Sequence, residues 1–101
     1  MPLIAEGQNL FIVDIEYLVP LEEVEPLIPG HVAFLDRNYA QGRFLASGAK
    51  VPRTGGIIVA VSESRESVEE IIRADPFHAQ GIARYTVTEF RPTRTADGLN
   101  G

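Results

Sequence analysis

The order in which the hydrophobic period changes along the chain constrains its fold more than any other feature. From about Asn9 to Leu18, Phe11, Val13, Ile15 and Tyr17 alternate with Ile12, Asp14 and Glu16. That is the period of two imposed by a pleated strand. Pro20 ends the run, and residues 20–29 then hold Pro20, Pro26 and Pro29 with the acidic Glu22, Glu23 and Glu25. Such a stretch has room for one helical turn but not for a long helix. A helix is expected from Pro29, since proline suits a first helical position where the missing N–H would be unpaired anyway. Val32, Leu35 and Tyr39 mark one face of it, with Phe34 beside them, and Gly42 is the stop.

A second strand is expected over Arg43 to Ala49. A turn containing Lys50, Pro52 and Arg53 leads to a third strand, Gly56 to Ser62, whose IIVAV run is strongly β-type. Ser64 reads as the N-cap of a second helix, with Glu66 favourably placed in its first turn and Val68, Ile71 and Ile72 as its buried stripe. Pro76 disfavours helical geometry at Asp75, so the helix is expected to end there. After a short turn, Phe77 to Gly81, the last strand runs from Ala83 to Arg91.

The resulting order is βαββαβ. Its usual solution is a split βαβ arrangement, an α+β fold with an antiparallel four-stranded sheet and two helices on one face. The other face then lacks helices. Val13, Ile15, Ile58, Ala60, Tyr85 and Val87 are expected to include residues pointing there. An open apolar sheet face is unstable in water, so a second copy is expected to cover it, giving a homodimer, with a higher oligomer through sheet faces left open.

At 101 residues the chain has the length of one domain. We place that domain at 1–91, with a short arm at its start, and read the polar, turn-rich residues 92–101 as a flexible tail. The formal charge is −5, which argues against nucleic acid and against anionic membranes as partners. There is no cysteine, so disulfides, thiolate catalysis and cysteine-based metal sites are excluded. No apolar run approaches the roughly 18 residues of a membrane span. The first residues, MPLIAEGQNLF, lack a basic flank and a signal-type apolar run, so a cytoplasmic location is expected.

Strand direction brings two reactive residues together. In a βαββαβ order the start of the first helix and the end of the second share one end of the sheet. His31 lies at the former and Asp75 at the latter. The partial positive charge of a helix N-terminus disfavours a protonated His31 and so favours the neutral imidazole a base needs. Asp75, if at a helix C-terminus, is on the wrong side of the dipole, at a cost from tenths of a kcal/mol to ~1 kcal/mol. A hydrogen bond to His31 would offset this and fix the imidazole tautomer. Against this stands the plainer alternative that a first-turn histidine caps or packs and that Asp-Pro starts a turn.

The turn between the second and third strands reaches the same end, bringing Ser47, Gly48, Lys50 and Arg53. Lys50 and Arg53 are by default solvated charges in a turn; the alternative is that they hold an anionic group of a substrate near the pair. Ser47 lacks the G-x-S-x-G context of a nucleophile and reads better as a small residue giving one hydrogen bond or a close backbone approach to a ligand. Tyr17, Phe34, Tyr39 and Phe77 read as core or pocket wall, Tyr17 being best placed to face a ligand. The substrate-binding candidates are thus Ser47, Gly48, Tyr17, Arg53 and Phe77. His78 with His31, Asp75 and Asp36 has no metal-ligand spacing, so no metal is expected; no organic cofactor motif is visible either.

Four stretches carry a family resemblance: HVAFLDRNYAQGRFLASG at 31–48, GGIIVAV at 55–61, ESRESVEEIIRADPF at 63–77 and YTVTEFRP at 85–92. Through them the chain resembles the YciI-like (YCII-related) family over roughly Leu10 to Arg91, with a shorter segment before Gly55 and Gly56 than many members have. The resemblance implies a ferredoxin-like fold that pairs into a dimeric α+β barrel. It implies that His31 and Asp75 are the family's proposed active-site pair, with Ser47-Gly48 at the same end. Most members have no assigned reaction. A relative in chloroaromatic breakdown is a dehydrochlorinase, and the wider superfamily includes isomerases and cofactor-free oxygenases. Two functions are therefore expected to compete. One is a small acid/base enzyme of isomerase, lyase or dehydrochlorinase type acting on a small, cyclic or aromatic organic molecule. The other is a non-catalytic domain that binds a small ligand.

Overall fold

A computed structural model describes residues 3–99. Residues 1, 2, 100 and 101, the outer ends of the expected arm and tail, lie outside the described residues. Four strands, β1 (Asn9–Tyr17), β2 (Phe44–Ala49), β3 (Gly55–Ser62) and β4 (Ala83–Phe90), form one antiparallel sheet in the order β2-β3-β1-β4. Four helices accompany them: α1 (Leu21–Val24), α2 (Ile28–Ala40), α3 (Arg65–Ile72) and α4 (Pro76–Ala79), with a 3-10 turn at Glu25–Leu27 between α1 and α2. This is the split βαβ, ferredoxin-like α+β architecture the sequence pattern predicts. No helix among the described residues is long and apolar enough to cross a membrane.

The local signals that set the element ends are visible. Gly42 follows α2 with a positive φ of 72°, a conformation cheap only for glycine. Ser64 caps α3, its hydroxyl accepting the Ser67 N–H at 3.2 Å. Gly55 pairs with Glu16, and a Cβ there would lie 1.7 Å from the Ile15 carbonyl oxygen. Only glycine lets β3 approach β1 so closely at this end of the sheet.

The core lies between sheet and helices. Phe11, Val13 and Ile15 of β1, Ile58 and Ala60 of β3 and Phe44 of β2 meet Val24, Phe34, Val68, Ile72 and Phe77 from the helical layer. Phe11, Phe34 and Phe77 are essentially fully buried, and each such side chain contributes roughly 1.5–3 kcal/mol. This corrects the expectation for the uncovered face. Val13, Ile15, Ile58, Ala60, Tyr85 and Val87 all belong to or pack against this core. The opposite parity points outward: Ile12, Asp14 and Glu16 of β1, Ile57 and Val59 of β3, and Thr86 and Thr88 of β4. A one-residue shift of parity moves every side chain to the other face. Part of the open face is covered by the chain itself. Ile4 packs with Leu10 and Val61, with Leu45 and Leu99 against them, and the Ile4 N–H donates to the Leu99 carbonyl at 2.7 Å.

Two further expectations change. The buried stripe of α2 is not Val32-Leu35-Tyr39. Phe34 and Asn38 are buried, whereas Val32 is 45% and Tyr39 39% exposed. The inward face runs through His31, Phe34, Leu35 and Asn38, and Asn38 tolerates burial because its amide donates to the Phe34 carbonyl at 2.9 Å. The second main helix, α3, ends at Ile72 rather than at Asp75, and the expected turn after it contains the helical turn α4.

Candidate active site

The short helix α4 is what places Asp75. Pro76 occupies its first position, and Asp75, with extended backbone (φ −74°, ψ 126°), is its N-cap. The carboxylate accepts the Phe77 N–H on Oδ1 at 3.1 Å. Asp75 therefore does not sit at the unfavourable end of a dipole, as the sequence pattern suggested. It caps the next helical turn, where a carboxylate is favoured. The reasoning that Asp75 needed His31 to relieve a bad location is overturned, although the pair itself is present.

His31 stands in the first turn of α2 and reaches Asp75 with Nδ1 2.9 Å from Oδ1. Gly30 eases this approach, since a Cβ on it would lie 3.0 Å from Pro76 Cγ and press the two segments apart by a few tenths of an ångström. The imidazole lies nearly parallel to the Phe77 ring, with centroids 4.2 Å apart and planes at 11°, and Phe34 stacks 6.0 Å away on it. Packing thus fixes the ring plane, and Asp75 fixes its rotation.

Asp75 has no exposed surface. Burial of a carboxylate is tolerable only when its oxygens are hydrogen-bonded. Oδ1 accepts from His31 and Phe77, and Oδ2 accepts from the Tyr85 hydroxyl at 2.6 Å. Burial pushes the Tyr85 phenol far above its ordinary value, and its hydrogen bond to Asp75 and the carboxylate charge push the same way. Tyr85 is therefore a lasting donor. An ionised carboxylate can only accept, which assigns the hydrogen between Asp75 and His31 to Nδ1. In the neutral ring Nε2 then carries the free lone pair.

A cavity of about 240 Å³ opens beside His31. Tyr17, Ser47, Gly48, Arg53 and Phe77, the five residues the sequence pattern nominated, all line it, together with apolar Ile15, Ile28, Leu35 and Ile58. Ser47 pairs its hydroxyl with that of Tyr39 at 2.7 Å, so it is not bonded to His31 as a triad would require. Lys50 does not join the cavity; it forms an ion pair with Asp14 on the open face. His78 is exposed and lies against the Tyr85 ring, centroids 5.5 Å apart. Among the described residues, no group of three or more His, Asp or Glu side chains is placed to hold a metal ion.

Sequence reasoning missed Tyr85 and Gly30. Tyr85 had a usable signal. In an antiparallel β1–β4 pair it falls opposite Ile15 and so shares a face with Tyr17, two residues from the end that carries Tyr17. Gly30 had none, because its role depends on where Pro76 passes.

Comparison with known proteins gives the same architecture. The chain superposes on 5-chloro-2-hydroxyhydroquinone dehydrochlorinase (TftG) from Burkholderia phenoliruptrix AC1100, determined in complex with 2,5-dihydroxybenzoquinone. The TM-score is 0.69 at 20% identity, covering 81% of this chain and 93% of that one. It also resembles SnoaB, a cofactor-independent oxygenase from Streptomyces nogalater, with a TM-score of 0.51 at 14% identity, covering 89% of this chain and 97% of that one. At such identities the likeness concerns the fold. In sequence, YjpA of Bacillus subtilis (strain 168) is 38% identical over 64 residues, which is 63% of this chain and 75% of that protein. The YCII-related domain family matches residues 9–91, and with that match spanning all four strands and the intervening helices, the chain belongs to the YCII-related family.

Proposed function

We propose that this protein is a small acid/base enzyme in which His31 moves a proton on a small organic molecule held in the adjoining cavity. The observation that carries this reading is the Nδ1–Oδ1 hydrogen bond of 2.9 Å to a carboxylate with no exposed surface. It leaves Nε2 as a base of defined direction on the cavity wall. Asp75 orients the ring and stabilises the imidazolium that forms when Nε2 takes a proton. Tyr85 holds the other carboxylate oxygen. An oriented general base of this kind contributes about 10²–10⁴ in rate.

The chemistry that fits is proton removal from a saturated carbon next to a carbonyl, in an open chain or in the keto form of a ring. The C–H electron pair passes into the conjugated system as an enolate. His31 then returns the proton at another atom, which is isomerisation, or the electron pair expels a leaving group such as chloride, which is elimination. TftG, by its name a dehydrochlorinase, supports the second form as a starting point for assay.

A second copy of the chain is part of this proposal. Ile12, Ile57 and Val59 remain only partly covered on the open sheet face, which favours a homodimer through that face.

The competing function is a binding module without turnover. One experiment separates the two. Chlorinated hydroquinones and enolisable cyclic ketones are incubated in D₂O with the protein and with His31→Asn, while proton NMR follows binding, exchange and chloride loss. Exchange or elimination that vanishes in His31→Asn with binding retained supports catalysis. Binding by the unaltered protein without exchange or turnover of any bound compound assigns the module.

A further inference from the structure

We infer that the cavity beside His31 selects small planar organic anions, whose charged oxygens are held by Arg53. This rests on the acid/base reading for where the reacting atom lies, and adds the class of molecule. The first observation is the distribution of charge. The chain carries 14 acidic against 9 basic residues, yet no Asp or Glu lines the cavity. Among the lining residues Arg53 is the one with a permanent charge. Asp75, the nearest carboxylate behind His31, has both oxygens taken by His31, Phe77 and Tyr85. A pocket of cationic character in an acidic protein concentrates anions and repels nothing that carries an anionic oxygen.

The second observation separates Arg53 from its neighbour. Lys50, on the same turn, is drawn to Asp14 on the open face. Arg53 forms no ion pair and no side-chain hydrogen bond among the described residues, although it lines the cavity. Its guanidinium is always charged and offers a planar fork that matches a carboxylate or phenolate edge.

Size and walls supply the rest. An apolar cavity of roughly 150 Å³ accepts benzene, so about 240 Å³ accommodates one ring with small substituents. Tyr17 gives the cavity a partly open aromatic wall, backed by the buried Phe77 ring that it meets edge to face at 5.8 Å. A flat ring packs well against such a wall. Carboxylate and phenolate share the chemistry that Arg53 would recognise, and the test separates them.

Amide shifts of Tyr17, Ser47 and Phe77 are followed while ¹⁵N-labelled protein is titrated with benzoate, 4-nitrophenolate, benzamide and acetate. Benzamide keeps the shape of benzoate without the charge, and acetate keeps the charge without the ring. The expected result is that benzoate or 4-nitrophenolate binds at least ten-fold more tightly than both benzamide and acetate. The stronger of the two anions identifies the favoured oxygen. Arg53→Gln, a change on an exposed turn, closes the gap to benzamide, and Arg53→Lys restores part of it. Equal binding of the ring anions and benzamide, no shift at these residues with either ring anion, or an undiminished gap in Arg53→Gln overturns the inference. The acid/base reading fails on different grounds: a His31 with its proton on Nε2 refutes it while leaving the Arg53-dependent gap in place.

Discussion

Asp75 and Asp14 each hold a carboxylate against a basic side chain, one beneath the helices and one on the open face of the same sheet. The Asp75 side chain is 0% exposed and its partner His31 16%; for Asp14 and Lys50 the values are 46% and 25%. The difference teaches what pairing is for in this fold. In the single chain Asp14 and Lys50 are open to solvent, and a pair of this kind contributes ~0–1 kcal/mol. Beneath the helices Asp75 is shut off from solvent. The carboxylate must be fully hydrogen-bonded, and its three donors then lock a histidine, a backbone turn and a strand to one another. The covered face uses its one buried charge to aim a base.

The comparison can be broken by removing its supports in turn. Phe77→Ala takes away the ring on which His31 stacks and a fully buried side chain. We expect a loss of about 3–5 kcal/mol in urea-unfolding free energy and the disappearance of any activity. Asp75→Ala should cost about 2–3 kcal/mol, because it removes the α4 cap and leaves buried donors unpaired. Asp75→Asn should cost less, since asparagine also caps. Tyr85→Phe should cost about 1–2 kcal/mol, measured the same way.

Tyr85 also carries a pH dependence whose sign follows from its raised pKa. In the folded protein the phenol keeps its proton well above the ordinary value of 10.0, whereas in the unfolded chain it ionises there. Its stabilising contribution is therefore complete below about pH 10 and declines as pH rises beyond it. Unfolding free energies measured above pH 10 should fall more steeply in the unaltered protein than in Tyr85→Phe, by at most ~1.4 kcal/mol per pH unit. The smallest effect is expected on the other face: Lys50→Ala should change stability by under ~1 kcal/mol. A larger loss there than in Asp75→Ala would invert the comparison.

Much of this was legible in the chain. Alternation in the first and last strands, the β-type IIVAV run of the third and the turn residues around the second put all four strands to within a residue or two, and Gly42, Ser64 and Pro76 marked real boundaries. The meeting of His31 and Asp75 followed from strand direction alone, because direction depends only on the order of elements. What escaped was decided by packing. The inward face of α2 passes through His31 and Asn38, two polar residues that a hydrophobic pattern skips. The parity of the sheet depends on which face receives the helices, which alternation cannot state. Asp75 read as the end of one helix because a four-residue helix beginning with proline leaves almost no periodic signal. Gly30 matters only through Pro76, more than forty residues away in the chain.

The central claim is that Asp75 holds His31 with the proton on Nδ1 and the lone pair of Nε2 toward the cavity. A long-range ¹H–¹⁵N spectrum of the imidazole, recorded under conditions where the ring is neutral, tests it directly. The account predicts a protonated Nδ1 and a bare Nε2 for His31, with that preference lost in Asp75→Ala, where no acceptor remains for Nδ1. A His31 that carries its proton on Nε2, or one whose tautomer preference is unchanged in Asp75→Ala, would contradict it.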